Sequence, residues 1–511
     1  YLLAASGRGS NLHIPYIDGV PLPCGLFADD LSLFALNADT MQLMLGLVEK
    51  YCIAFGMSIN ASKTEMLLFS GSGNVRRRPS SAPPAPSPFD PTFSGFTLQG
   101  GAVHVRLAPQ AKYLGIVHGP GRLFIKCTDE LLAAGRKAMY ATIRDLRVQK
   151  LHTPSVMMDC FNTYVRPVLS YSCQVWGPDM VLRYGLDFHT AIKDPMVQLQ
   201  IDFMRMVVGA KLPPHALLFM ELGQVPMQCH WAQLAFTFWN SITSRKDSLA
   251  FKVLRDDLRM HLDPASGHTD CWAAQMLRLF SNLGSDYAAH APAALEEKIT
   301  YYSNLHLPVR QLVSALQARY DSPWADERLR EDPRTLVSLP TSGRPAGALG
   351  VKACRYLNWM GISRGHRMGK HGMHVHCGTY INAAHHQCML RFRLCVWPLE
   401  VSRNGQRPRA ARVCRLCNAN AVEDEAHVAS ECMAYSALRE KHWGQNPEDC
   451  MDIAALMQHA HDDPRAVAHY LFDVHSHRTR LLQPGGGLKS SSHSHKDHKC
   501  SGVRKVRMTR R

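Results

Sequence analysis

The chain has 511 residues, with 58 Lys+Arg against 42 Asp+Glu, a formal net charge of +16. A hydrophobic share of 46% excludes wholesale disorder, and no apolar run approaches the roughly 18 residues of a membrane span. The length suits about three or four domains. Sixteen Cys read as buried thiols with a metal site among them rather than as a disulfide framework.

The chain opens at Tyr1 without an initiator Met. The first residues lack the basic flank and apolar stretch of a secretory leader. The expectation is a fragment of a longer protein or a mis-started gene model. Residues 26–36 (LFADDLSLFAL) form an apolar run broken by Asp29 and Asp30, which suggests strand, acidic turn, strand. Asp18-Gly19 reads as a turn. Asp39-Thr40 offer an N-cap, and Met41, Met44, Leu45, Val48, Cys52 and Phe55 follow at helical spacing with Gly56 as the stop. Met66–Phe69 reads as a strand. Residues 72–92, with an Arg76-Arg77-Arg78 run and closely spaced Pro, form an insertion unsuited to helix or central strand.

Residues 93–128 return to short strands. From Asp129 the chain turns helical, with Leu132, Met139, Ile143 and Leu146 on one apolar stripe. Arg136, Lys137, Arg144, Arg147 and Lys150 lie off it, as a solvated face or as a surface for a phosphate backbone. Helices are expected over 129–245 and over a connector, 246–390. Their Met and aromatic residues read as core. A Cys/His segment follows at 391–445, then a short helical segment at 446–484. The tail, 485–511, carries eight Lys/Arg against Asp497 and suits polyanion binding or simple solubility. The fold class expected is α+β, a small antiparallel strand region with a packed helix, followed by a mainly helical body and a small metal-binding segment.

Cys414-x2-Cys417-x9-His427-x4-Cys432 is the strongest chemical signal. Two close thiols, then an imidazole and a third thiol, make a tetrahedral donor set for structural Zn2+. Glu423-Asp424-Glu425 between the halves reads as an exposed loop. A second group, His374, His376, Cys377, His385, His386 and Cys388, fits no common metal spacing and reads as a His-rich helical segment.

Phe27-Ala28-Asp29-Asp30 is the other candidate. Adjacent carboxylates at a tight turn suit Mg2+, which takes one or two carboxylates plus substrate phosphates. The dipeptide alone reads as an ordinary exposed turn. Its context is more specific. The acidic turn, the helix, GMSINASKT at 56–64, KYLG at 112–115, CFNTYVRPVLSYSCQVWG at 160–177, and MRMVVGAK with LLFMELGQVP within 199–226 occur in this order. The set resembles the rear part of reverse transcriptases of non-LTR (LINE-type) retrotransposons, over most of 15–245 and again at the Cys/His segment. The resemblance implies a partial palm at 1–71, its end at 93–128, and a thumb at 129–245. It implies RNA-directed DNA polymerisation with two Mg2+, an RNA template and a DNA primer or target. Asp29 and Asp30 would serve the metal, and Lys63 the departing pyrophosphate. Tyr113, Leu114 and Gly115 would position the primer. Arg136, Lys137, Arg144, Arg147, Arg412 and Arg415, with Arg407 and Arg409, would contact nucleic acid.

The family's other palm Asp lies on an earlier strand, for which 28 residues before Asp29 leave no room. The chain alone is therefore expected to be inactive. A nuclear location follows from the same likeness. The alternative is a nucleic-acid-binding remnant without synthesis.

Overall fold

The computed structural model describes residues 12–69, 96–98, 103–119, 124–210, 212–266, 270–284, 286–325, 356, 359, 375–403, 407–444 and 452–483. The insertion at 72–92, His374 and the basic tail lie outside them. The chain is mixed α and β, with helix dominant and the strands short.

Strands β1 (Tyr16–Ile17) and β2 (Val20–Pro21) form a hairpin across Asp18-Gly19. Both turn residues take positive φ, 47° and 76°, so the predicted turn is present. Asp18 is also ion-paired with Arg255 at 3.3 Å and Arg259 at 3.6 Å, and its N–H donates to Asp256 Oδ2. This long-range anchor has no sequence signature. Strands β3 (Cys24–Phe27) and β4 (Asp30–Leu33) pair antiparallel, with Phe27 opposite Asp30, so Ala28 and Asp29 make a two-residue turn.

Helix α1 (Ala38–Ala54) begins earlier than the pattern suggests. Asn37, not Asp39 or Thr40, is its cap, accepting from Thr40 N at 2.9 Å. Gly56 ends it at φ 67°. Thr40, Met44 and Leu45 are buried, but Phe55, on the predicted apolar face, is 65% exposed. The stripe is covered only over its first half.

Strands β5 (Glu65–Met66), β6 (Phe96–Leu98) and β7 (Val103–Leu107) form a three-stranded sheet in the order β5-β7-β6. The expected strand at 66–69 shrinks to two residues. β5 pairs with β7 in parallel, a departure from the all-antiparallel expectation. A long connection between them makes that geometry available. Met66, Phe96, Leu98, Val105 and Leu45 form a small core, with Leu33 packed on it. Strands β8 (Ala111–Tyr113) and β9 (Ile116–His118) form a hairpin through Leu114-Gly115, at φ 48° and 81°. Gly suits the second of these positions because it lacks a Cβ.

The helical body starts with α2 (Ile125–Val148). Then come α3 (Pro154–Cys160), a π turn at Phe161–Val165, α4 (Arg166–Leu169), α5 (Cys173–Tyr184), α6 (Phe188–Ala191), α7 (Pro195–Val208), α8 (His215–Glu221) and α9 (Met227–Thr243). Four more follow: α10 (Leu249–Leu262), α11 (Trp272–Asn282), α12 (Leu295–Ser303) and α13 (Val309–Ala325). One apolar core runs through all of them, from Ile116 to Leu394. Met139, Ile143 and Leu146 of α2 are buried as predicted, with Leu131 deeper than Leu132. Trp176 and Trp231 meet edge to face at 5.0 Å.

The C-terminal unit comprises α14 (Val375–Gly378), α15 (Ala383–Arg393), α16 (Glu400–Arg403), α17 (Ser436–Trp443), α18 (Ile453–Asp462) and α19 (Pro464–Leu481). Its own core joins Met389, Phe392, Trp397, Cys414, Cys432, Tyr435 and Tyr470. α15 faces both ways, since Leu390 and Leu394 belong to the body core.

Gly135 marks the closest approach within the body. A Cβ there would lie 2.8 Å from Leu169 Cγ and 3.3 Å from Leu199 Cδ2, both on buried side chains. Gly→Ala inside a helix ordinarily stabilises by about 1 kcal/mol. Here overpacking reverses the sign, and Gly135→Ala should cost about 1–3 kcal/mol in urea denaturation.

Candidate metal centre and the acidic hairpin

The Cys/His segment forms a compact knuckle. Cys414 N donates to Ala421 O at 2.8 Å, Val413 bridges Val422, and Asn420 turns the chain at φ 48°. Leu416 N reaches Cys414 Sγ at 3.4 Å. His427 opens a π turn at His427–Glu431, capped by Asp424 Oδ1 at 3.0 Å, and Cys432 follows it. Sγ of Cys414, Cys417 and Cys432 and one ring nitrogen of His427 all lie within 4.8 Å of one another. Cys414 and Cys432 sulfurs are 3.8 Å apart, and Cys417 Sγ is 3.3 Å from His427 Nε2. With metal–sulfur bonds near 2.3 Å, a tetrahedron has S···S edges of about 3.8 Å. The cluster is thus the size of a zinc site.

The surroundings complete it. His427 Nδ1 lies 3.4 Å from the exposed Glu431 Oε2, on the side of the ring away from the thiols. Burial pushes the Cys432 thiol up to about 12 and raises that of Cys414. Burial also acts upward on Cys417, but the Ala419 N–H and the neighbouring thiols outweigh it, and this thiol lies below its ordinary value. Three crowded thiols become thiolates together when a cation is present to hold them. All four donors are protein side chains, so the set can hold a metal such as zinc in a closed, structural role.

The acidic loop between the halves is not exposed. Glu423 and Glu425 are buried. Glu423 accepts from Arg478 Nε at 2.9 Å and Nη2 at 2.8 Å, and from Glu400 N at 2.9 Å. The sequence concealed this because Arg478 stands 55 residues away. Arg412 is spent on backbone carbonyls, donating to Arg407 O and Val401 O at 2.9 Å each. Arg415 pairs with Glu400 at 3.1 Å and is more than half exposed. Of these two predicted nucleic-acid contacts, Arg415 keeps the more accessible guanidinium.

The acidic hairpin has a different character. Asp29 sits in the turn and Asp30 begins β4, both exposed, next to Ala28 at φ 53°. No ion pair involves either carboxylate among the described residues. No group of three metal-ligating side chains there includes them. Leu26 and Phe27 beside them are exposed. Lys63 is exposed in the turn that precedes β5, with its N–H on Asn60 O at 3.1 Å.

The Tyr-Leu-Gly hairpin lies against this region. A Cβ on Gly25 would be 3.9 Å from Tyr113 Oη. Tyr171, from the 160–177 segment, donates its hydroxyl to Leu114 O at 2.7 Å, and its ring would be 3.0 Å from a Cβ on Gly115. Trp176 Nε1 in turn donates to Tyr171 O at 2.8 Å, and Trp231 Nε1 to Ser170 Oγ at 3.1 Å. Nothing in the local pattern of 160–177 marks Tyr171 for this bond, because its partner Leu114 stands 57 residues away. Arg136, Lys137, Arg144, Arg147 and Lys150 are all exposed along α2. Asp145 accepts from Arg144 at 2.9 Å.

Of the second His/Cys group, His376, Cys377 and His386 converge and are buried. His376 Nε2 is 2.7 Å from Glu221 Oε1. Glu221 also accepts from Arg393 Nε at 2.5 Å and Nη2 at 3.2 Å and from the Tyr356 hydroxyl. Burial, then the charge of His376, drives His386 down to about 3. His385 instead packs on Phe472 and His469, and Cys388 on Leu471 O.

Family models, characterised proteins and solved structures show no match to the chain. No helix among the described residues is long and apolar enough to cross a membrane.

Two outcomes check this site. Cys417→Ser should lower bound zinc, measured by mass spectrometry of the metal, by one equivalent per chain. Arg478→Met leaves Glu423 buried and unpaired and should cost about 3–5 kcal/mol in denaturant unfolding. The pair Glu423→Leu with Arg478→Met should recover most of that loss.

Proposed function

We propose that the chain is the palm-to-C-terminal part of a LINE-type reverse transcriptase, and that it grips an RNA template and DNA primer. The feature that supports this most is the proximity of strand β3 of the acidic hairpin to the Tyr-Leu-Gly hairpin, where Tyr113 Oη lies 3.9 Å from the position a Cβ on Gly25 would take. In this reading the acidic turn and the Tyr-Leu-Gly turn belong to neighbouring hairpins that would flank a primer end and a nucleotide. Tyr171 ties the second hairpin to the helical body, so the helices register against the site. The exposed cations of α2, interleaved with the 62% exposed Tyr140, suit a phosphate backbone and a base or sugar face.

Exposed carboxylates at a hairpin tip fit Mg2+ held by one or two carboxylates and substrate phosphates. When bound, that ion would lower the pKa of the primer hydroxyl and stabilise charge on the transferred phosphate. In this reading Asp29 and Asp30 hold the ion, Tyr113 to Gly115 orient the primer end, and Lys63 neutralises the departing pyrophosphate. The Cys414–Cys432 zinc knuckle with Arg415 forms a second grip on nucleic acid. Nuclear location follows from access to chromosomal DNA.

A second reading, nucleic-acid binding without synthesis, is favoured by one observation. No third carboxylate joins Asp29 and Asp30 among the described residues.

The 511-residue chain should bind an RNA–DNA hybrid in fluorescence anisotropy, with affinity falling steeply in salt. Substituting Arg136, Lys137, Arg144 and Arg147 together by Ala should reduce the slope of log K against log salt by roughly 3 to 4. Absence of salt-dependent binding defeats both readings. A chain extended through the coding region upstream of Tyr1 should incorporate dNTPs with Mg2+ and lose this on Asp29→Asn. Binding without incorporation in that extended chain selects the second reading.

A further inference from the structure

We propose that His376, Cys377 and His386 form a second zinc site, buried where the C-terminal unit docks on the helical body. His376 and Cys377 stand on α14 and His386 on α15, and each is buried. His376 Nδ1 is 3.3 Å from His386 Nε2, and Cys377 Sγ is 3.5 Å from His376 Nδ1. All three donor atoms lie within 4.8 Å of one another. The nitrogen–nitrogen separation is long for a hydrogen bond, whose usual length between nitrogens and oxygens is about 2.9–3.0 Å. Both separations suit the edges of a tetrahedron around zinc. Metal–nitrogen bonds of about 2.0–2.1 Å and metal–sulfur bonds near 2.3 Å give N···N edges of about 3.3 Å and N···S edges of about 3.5 Å.

The hydrogen bonding around the group sets the donors correctly. His376 Nε2 faces Glu221 Oε1 at 2.7 Å, so the ring proton belongs on Nε2 and the Nδ1 lone pair faces the other two donors. A carboxylate behind a metal-binding imidazole is the usual device for fixing this tautomer. Arg393 holds that carboxylate in place with two bonds. His386 Nδ1 has no hydrogen-bond partner, so the orientation of that ring is set by packing and not by a second acceptor. Thiolate with imidazole selects zinc over hard cations such as Mg2+. Three protein ligands leave a fourth vertex for water. A cleft of about 320 Å3, lined by Arg147, Lys150, His152, Met206 and His386, borders the group on its His386 side. The site is chemically independent of the Cys414 knuckle and of the polymerase reading.

The test is metal content of the full chain after gel filtration with a weak chelator. Cys377→Ser and His386→Gln should each remove one equivalent of tightly held zinc, while Cys417→Ser removes a different one. His386→Gln keeps a similar side-chain volume and serves if Cys377→Ser does not fold. Cobalt provides the second readout. Loaded into the Cys417→Ser chain, it should give tetrahedral absorption with a one-thiolate charge-transfer band that Cys377→Ser abolishes. Zinc content unchanged in both Cys377→Ser and His386→Gln, or no thiolate band dependent on Cys377, overturns the proposal.

Discussion

Glu221 has no solvent exposure, and its charge must be answered from inside the protein. Burying a carboxylate costs several kcal/mol, offset only by good geometry and a full set of hydrogen bonds. Arg393, His376 and Tyr356 supply that set. All three come from sequence more than a hundred residues later. The pairing therefore fixes where the C-terminal helices sit on the end of α8. The same solution recurs within the C-terminal unit, where Arg478 answers Glu423 with two parallel bonds. Each pair is an all-or-none fastening, because loss of one partner strands the other.

Local signals in the sequence carried much of the architecture. The alternating face of α2 and the Asp18-Gly19 and Leu114-Gly115 turns follow from side-chain period and backbone sterics. The Cys414–Cys432 cluster was legible because knuckle spacing constrains four donors within a short segment. What could not be read depended on distance along the chain. Nothing near Glu423 announces Arg478, so its loop looked solvated. The apolar stripe of α1 continues to Phe55, yet only its first half meets Met66, Phe96 and Leu98. Likewise, β5 finds β7 as a parallel neighbour, a choice made by tertiary placement and not by local pattern.

Functional reasoning faces the same division. The acidic turn is legible as a hairpin, and its chemistry rests on what lies beside it. Tyr171 is the informative residue, since it links a hairpin from the strand region to the tryptophan pair inside the helices. Its hydroxyl transmits the position of the rigid body to Leu114. The exposed cations of α2 lie on the same helix that carries Met139 and Ile143 into the core, so their backbone is anchored there.

Glu221 and Arg393 are 172 residues apart, and that interval has a temporal meaning on the ribosome. At about 5–20 residues per second, Arg393 is made roughly 10–35 s after Glu221. For that period the nascent helices carry a carboxylate bound for a dry interior with no guanidinium to meet it. The end of α8 must stay hydrated, or be shielded by a chaperone, until translation delivers the partner.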